Sequence, residues 1–249
     1  MRNVLILGAV RTPIGAFSGA FANVSAVELG TVAAKETLAR SGASADQVEE
    51  VILGNVLQAG QGMNPARQVS IHTGVPEAVP SFTVNKVCGS GMKAIDLAWK
   101  NILLERNNLI LAGGIENMTQ APYLLPAMRQ GARLGDTKAL DHMTHDGLTD
   151  VFNQYHMGIT AENIAEDYGI SREEQDAFAL LSQQNCGKAL EANRFQDEIV
   201  PVTVKGRKGD VVVDKDEHPR PDTSLDTLAK LRPAFKKDGT VTAANASGI

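Results

Sequence analysis

The sequence predicts an α/β protein built on a largely parallel sheet. Short apolar runs of strand length alternate with stretches of helical periodicity as far as residue 114, and such alternation argues for helices packed on a mostly parallel sheet. The runs are apolar throughout, as in strands covered on both faces. Capping-box and glycine signals mark where several of the helices begin and end.

In chain order, Val4–Val10 reads as a buried first strand. Ser25 with Glu28 three residues later forms a capping box, opening a helix through Leu38 with Leu29, Val32 and Ala33 on one side and Gly42 as its stop. Val51–Leu57 reads as the next strand, and a helix after Pro65 carries Ala66, Val69 and Ile71. Ser81–Val87 is extended, and Met92, Ile95, Trp99, Ile102 and Leu103 then fall at helical spacing. Leu109–Ala112 is a further buried strand, stopped by Gly113 and Gly114. From Glu116 to about Thr149 scattered charges, prolines and glycines predict a long excursion. A short helix follows over Thr160–Tyr168, and the Ser171/Glu174 capping box opens a longer one to about Asn193. Ile199–Val204 and Asp210–Val213 read as a hairpin; residues 214–245 are polar and irregular. The expected division is therefore a core region over 1–115 and a second region over 116–249.

Composition narrows the function. The 249 residues are 43% hydrophobic and 21% charged with a formal net charge of −5, which lacks the positive field that nucleic acids or acidic membranes demand. No run approaches the roughly 18 apolar residues of a membrane span. The first apolar run is too short for a signal-peptide core. Two cysteines cannot build a disulfide framework, and no Cys/His group has zinc spacing, so a cytoplasmic protein with reduced thiols is expected. No Gly-x-Gly-x-x-Gly follows the first strand, which excludes a dinucleotide-binding fingerprint.

The most informative segment is Val84-Asn85-Lys86-Val87-Cys88-Gly89-Ser90-Gly91-Met92-Lys93-Ala94. A strand runs into a glycine-flanked turn and then directly into a helix. A cysteine at a helix start sits beside unpaired N–H groups and the positive dipole end, conditions that favour the thiolate and its use as a nucleophile. Gly89 and Gly91 leave room for a carbonyl to approach, with backbone donors near its oxygen. A free cysteine at a strand end is more commonly a small buried hydrophobe; the glycines around the sulfur weigh against that reading without removing it. Cys186, within the 171–193 helix, reads as a packing thiol.

The Asn85–Ala94 run closely resembles the acyl-enzyme signature of thiolases. Matching runs follow in order along the whole chain: Arg11-Thr12-Pro13-Ile14-Gly15, Gly62–Gln68, Gly113–Met118, His156–Glu162, Leu231–Phe235 and the final Asn245-Ala246-Ser247-Gly248-Ile249. The variant most resembled is the short-chain, acetoacetyl-CoA type of bacteria. The resemblance implies a layered α/β/α/β/α fold of two similar halves, of which 1–115 matches the first and 116–249 a loop domain inserted into it. It implies an acetyl-CoA C-acetyltransferase whose substrates are acetyl-CoA, acetoacetyl-CoA and CoA, with no separate cofactor, assembled as a homodimer or homotetramer. By resemblance Cys88 is the nucleophile that carries the acyl group; Leu148, His156 and Met157 line the pantetheine and acyl tunnel; Arg220 and Thr223 lie near the adenine and phosphate end; and Ser247 lies beside the pantetheine amide. The family's histidine, asparagine and acid/base cysteine belong to motifs outside these 249 residues, and His72, His142, His145, His156 and His218 match none of them. The 249 residues alone are therefore expected to lack turnover. Two other readings are a ketoacyl-synthase-like condensing enzyme, which the His156-Met157-Gly158 and Gly113–Glu116 runs disfavour, and a noncatalytic CoA-binding module.

Overall fold

The computed structural model describes residues 3–249. They form two compact units: unit 1 holds the residues up to Pro13, Phe17–Gly147 and Glu198–Lys215, and unit 2 holds Ile14–Ala16, Leu148–Asp197 and Asp216–Ile249. These units divide the chain differently from a boundary after residue 115.

Unit 1 opens with α1 (Ala26–Ser41), whose Ser25–Glu28 capping box forms as expected and whose C-cap Gly42 sits at φ 72°. β1 (Glu50–Gly54), α2 (Pro65–Thr73), β2 (Ser81–Val84), α3 (Ser90–Leu103) and β3 (Ile110–Gly114) follow. The strands pair in parallel in the order β2-β1-β3, with Ile52 facing Phe82 on one side and Ala112 on the other. Side chains alternate across β1. Val51 and Leu53 join a core with Ala26, Ala34 and Leu38 of α1 and Ala66 and Val69 of α2, whereas Ile52 packs with Ala94 and Ala98 of α3. The sheet thus carries helices on both faces, the α/β arrangement expected. Leu29 and Val32, on the other side of α1, pack against Val202 in the hairpin of β8 (Val202–Val204) and β9 (Val211–Val213).

Several expectations need correction. Val4–Val10 forms no strand ladder among the described residues, and Leu5, Ile6 and Leu7 are exposed; apolar character gives a segment reason to be covered, but a ladder needs a neighbour to supply it. The second strand ends at Gly54 instead of Leu57, and Asn85–Val87 forms a turn instead of continuing β2. Ile71 faces outward. Gly113 and Gly114 belong to β3 and do not stop it. In α3 it is the alanines that face the sheet; Met92, Ile95 and Trp99 are exposed.

The excursion contains two short antiparallel pairs, β4 (Tyr123–Leu124) with β5 (Leu140–Asp141) and β6 (Thr149–Asp150) with β7 (Tyr155–His156); the second pair lies in unit 2. Unit 2 also contains α4 (Met157–Tyr168), α5 (Arg172–Glu191) and α6 (Leu225–Ala229). The Ser171–Glu174 capping box of α5 forms as predicted, and α4 starts one residue after His156, three residues earlier than expected. Two buried carboxylates hold its irregular end. Glu162 accepts from the Thr240 and Val241 amides, and Asp176 accepts from Arg172 Nε (2.7 Å) and Asn245 Nδ2 (2.9 Å).

Candidate active site

In open parallel sheets the carboxyl ends of the strands are where ligands bind, and there unit 1 concentrates its unusual features. Gly54 ends β1, Gly114 ends β3 and Gly91 lies in the first turn of α3. A Cβ on Gly54 would fall 2.4 Å from the Ser90 carbonyl carbon and 2.5 Å from the Gly91 nitrogen, and one on Gly114 would fall 3.2 Å from the Gly91 Cα. Glycine is required at Gly54 because the helix backbone occupies the space a side chain would take.

The turn joining β2 to α3 carries Cys88, which is exposed. Its conformation is locked from beneath. The Ser90 hydroxyl, on a residue only 4% exposed, accepts from the Lys86 amide (2.7 Å) and donates to the Val87 carbonyl (2.6 Å). Asn85 Oδ1 accepts from the Val87 amide at 2.9 Å. Between these bonds Val87 adopts φ 48°, a left-handed conformation that is a genuine outlier for a β-branched residue. Among the described residues Cys88 Sγ makes no hydrogen bond, and the Gly91 and Met92 amides are likewise unengaged.

A second clamp fixes the far side of β1. Glu116 accepts from Asn55 Nδ2 (2.8 Å), the Val56 amide (2.8 Å) and the Leu57 amide (3.3 Å). The Asn55 amide in turn donates to the Val84 carbonyl (3.1 Å), at the end of β2 just before the cysteine turn. Burial pushes the Glu116 carboxyl up, against the pull of its three donors. His142, buried, contacts Asp146 Oδ2 through Nδ1 at 2.6 Å.

The other predicted site residues all lie in unit 2. His156 caps α4, its Nδ1 accepting from the Gly158 amide at 3.0 Å, and its ring stacks on Phe235 with centroids 4.9 Å apart. Gly158 is required there, since a Cβ would meet that phenyl ring at 2.2 Å. The His156 and Phe235 motifs, nearly 80 residues apart, are thus halves of one packing unit. Met157 is 45% exposed, and Leu148 is half-buried at the end of a helical turn over Met143–Leu148. Arg220 and Thr223 share one turn, the Thr223 hydroxyl donating to the Arg220 carbonyl at 2.7 Å. Arg220 Nη1 donates to the Glu217 and Pro219 carbonyls (2.6 and 2.9 Å), and among the described residues its Nε and Nη2 are unengaged. Ser247 is exposed beside Gly248, where a Cβ would fall 2.4 Å from His218 Nδ1, so the backbone at residue 248 lies close against the His218 ring. Cys186 is half-buried inside α5, as its mid-helix position predicts.

Sequence reasoning missed Ser90, Asn55 and the carboxylate of Glu116 as individual actors. Ser90 and Glu116 did lie within quoted motifs, but their partners are set by the fold.

Comparison with known proteins places these features in one family. The profile described as thiolase, N-terminal domain, matches residues 4–249. A probable acetyl-CoA acyltransferase of Staphylococcus aureus strain COL is 56% identical over 250 residues, covering 100% of this chain and 64% of that protein. One from Staphylococcus epidermidis is also 56% identical with the same coverage. The crystal structure of the Bacillus anthracis acetyl-CoA acetyltransferase superposes with a TM-score of 0.96 at 45% identity, covering 100% of this chain and 63% of that one. The acetyl-CoA acetyltransferase of Syntrophomonas wolfei gives a TM-score of 0.95 at 46% identity, covering 98% and 61%. The chain spans 64% of the length of these curated relatives. With the profile matched over nearly every residue and the fold shared at this identity, the chain belongs to the thiolase family and corresponds to its N-terminal domain.

Proposed function

We propose that the chain is the acyl-carrying part of an acyl-CoA C-acyltransferase that makes or cleaves acetoacetyl-CoA. The observation that carries this is the placement of Cys88: an exposed sulfur on a locked turn at the head of α3, at the carboxyl ends of a parallel sheet. In the acylation step the Cys88 thiolate attacks the thioester carbonyl of an acyl-CoA. The carbonyl π electrons move to oxygen, then return as the bond to the CoA sulfur breaks, and CoA leaves as a thiolate that takes a proton. The acyl group stays on Cys88 as a thioester, ready to transfer to the α-carbon of a second acetyl-CoA or, in thiolysis, to CoA. The unengaged Gly91 and Met92 amides are donors of the kind that stabilise such an oxyanion. Thioester exchange of this kind runs without a separate cofactor.

On the same reading Leu148, His156 and Met157 contact the pantetheine arm, Ser247 its amide, and Arg220 and Thr223 the phosphate end. The free Nε–Nη2 edge of Arg220 supports this, since a guanidinium edge grips phosphate oxygens in pairs. Assembly as a homodimer or homotetramer, with Gln120–Gly135 a contact candidate, and residence in the cytoplasm belong to the same proposal. Among the described residues no helix is long and apolar enough to cross a membrane. No histidine or second cysteine among them is bonded to Cys88, so these residues account for acyl transfer to the sulfur and not for the later proton transfers.

Iodoacetamide labelling of the folded chain at neutral pH, read by peptide mass spectrometry, tests the assignment. Cys88 is expected to label at least about tenfold faster than the half-buried Cys186, in keeping with the dependence of thiol reactivity on exposure and helix-start placement. Faster labelling of Cys186 would overturn it.

A further inference from the structure

The cysteine turn contains a side chain whose placement has no ordinary packing reason. Ser90 is 4% exposed and wedged against β1 at Gly54, a site where any small residue would fit. Yet its hydroxyl uses both of its capacities on the two residues that precede Cys88, accepting from the Lys86 amide and donating to the Val87 carbonyl. Those two bonds bracket Val87, held at φ 48°. A β-branched residue persists in that region only where surrounding structure over-determines it. Two backbone bonds help close the same turn, Gly89 N to Lys86 O at 3.1 Å and Ser90 N to Val87 O at 3.0 Å. They fix the turn's closure, whereas the hydroxyl is the group that reaches the Lys86 amide. Removing it leaves that donor unpaired and lets Val87 relax toward its ordinary extended or helical conformations, carrying Cys88 away from the head of α3.

We infer that Ser90 is a positioning residue for the nucleophile: its hydroxyl staples Lys86 and Val87 in the strained turn and so holds Cys88 at the start of α3. The inference rests on the reading of Cys88 as the nucleophile but has its own signatures. A serine present only as a small packing residue would be replaced by alanine without consequence for the turn.

The test measures Cys88 and Cys186 alkylation in one sample of the chain, with Cys186 as the internal gauge of folding. If unmodified protein labels Cys186 faster, the nucleophile reading fails, whatever Ser90 does. If Cys88 leads as expected, Ser90→Ala should reduce the Cys88-to-Cys186 rate ratio by about fivefold, the factor a lost hydrogen bond of ordinary net strength represents. Adding Val87→Asn to that variant should recover most of the loss, because asparagine tolerates the left-handed region that valine resists. A ratio within twofold of the unmodified protein in Ser90→Ala would overturn the inference. Amide hydrogen exchange of the unmodified chain needs no variant to fold. The Lys86 amide, on an exposed residue, should exchange at least about tenfold slower than an unbonded amide of the same sequence context. Exchange at the unprotected rate would also overturn it.

Discussion

Asp96 and Glu116 show how one functional group, the carboxyl, answers to opposite physics. Asp96 is half-exposed on α3, and its Oδ2 accepts from Lys93 Nζ at 2.5 Å and Lys100 Nζ at 2.9 Å. The Lys93 bond first, then the Lys100 bond, holds its carboxyl down at about 2, against an ordinary value of 3.8. A carboxyl held down in the folded state contributes stability that is present above its unfolded value and is lost as pH falls through the folded one. Asp96→Asn should therefore lower Tm slightly at about pH 6, and the gap from the unmodified chain should close between about pH 4 and pH 2. Thermal melts across that range check it; a gap that stays constant would show that the lysine pairing contributes nothing. Glu116 behaves in the opposite sense. Burial raises its carboxyl, so its contribution to the folded state grows more favourable as pH falls toward the ordinary glutamate range.

At the scale of elements, the junction of β1, β3 and α3 is decided by backbone contact. Gly54 leaves room for the Ser90 carbonyl carbon and the Gly91 nitrogen, and its own carbonyl accepts from the Ile115 amide at 2.9 Å. Because both colliding atoms are backbone, no rotamer change relieves a clash there. Gly54→Ala is expected to displace the start of α3 and to destabilise unit 1 by about 1–3 kcal/mol, the usual range for overpacking. Chemical denaturation followed by circular dichroism measures the loss, and an alanine variant of unchanged midpoint would mean that α3 does not seat on β1 as described. The clamp on the other side of β1 works by polar means: Glu116 gathers the Asn55 side chain, which also donates to the Ile115 carbonyl, and the Val56 and Leu57 amides, giving partners to donors that lose water on folding.

The whole molecule leaves a considerable apolar surface uncovered. In unit 1 Leu5, Ile6 and Leu7 are 72%, 82% and 54% exposed, and Met92, Ile95 and Trp99 of α3 are 78%, 52% and 48% exposed. Scattered apolar residues on a surface are ordinary, but three successive ones on a segment outside helix and strand and a stripe on one helix are not. The 249 residues on their own are expected to bind ANS with a clear rise in fluorescence, or to associate as concentration increases. A monomer at high concentration that leaves the dye dark would show that these side chains find cover within the chain itself.

Much of this protein is legible in its sequence because many of its signals act over a few residues. The capping boxes at Ser25 and Ser171, the stop at Gly42, the β8–β9 hairpin and the strand–turn–helix passage around Cys88 are set by local backbone sterics and near-neighbour hydrogen bonds, and the structure has all of them. The motif carrying Cys88 pointed to the family in the same way, since a cysteine on a glycine-flanked turn between strand and helix leaves a local signature. Burial and long-range partners are different, being properties of residues distant in the chain. The helical spacing of Met92, Ile95 and Trp99 showed a face in need of cover, but only the packed sheet decided that Ala94 and Ala98 would be the buried residues against Ile52, with Leu97 half-buried beside them. The apolar run at Val4–Val10 could state a preference for a ladder and not provide one. Likewise the pairing of Glu116 with Asn55 and the stacking of His156 on Phe235 required the chain to fold back on itself. What hydrogen-bonds across sixty residues is fixed by topology, and topology is decided by the sum of all contacts at once.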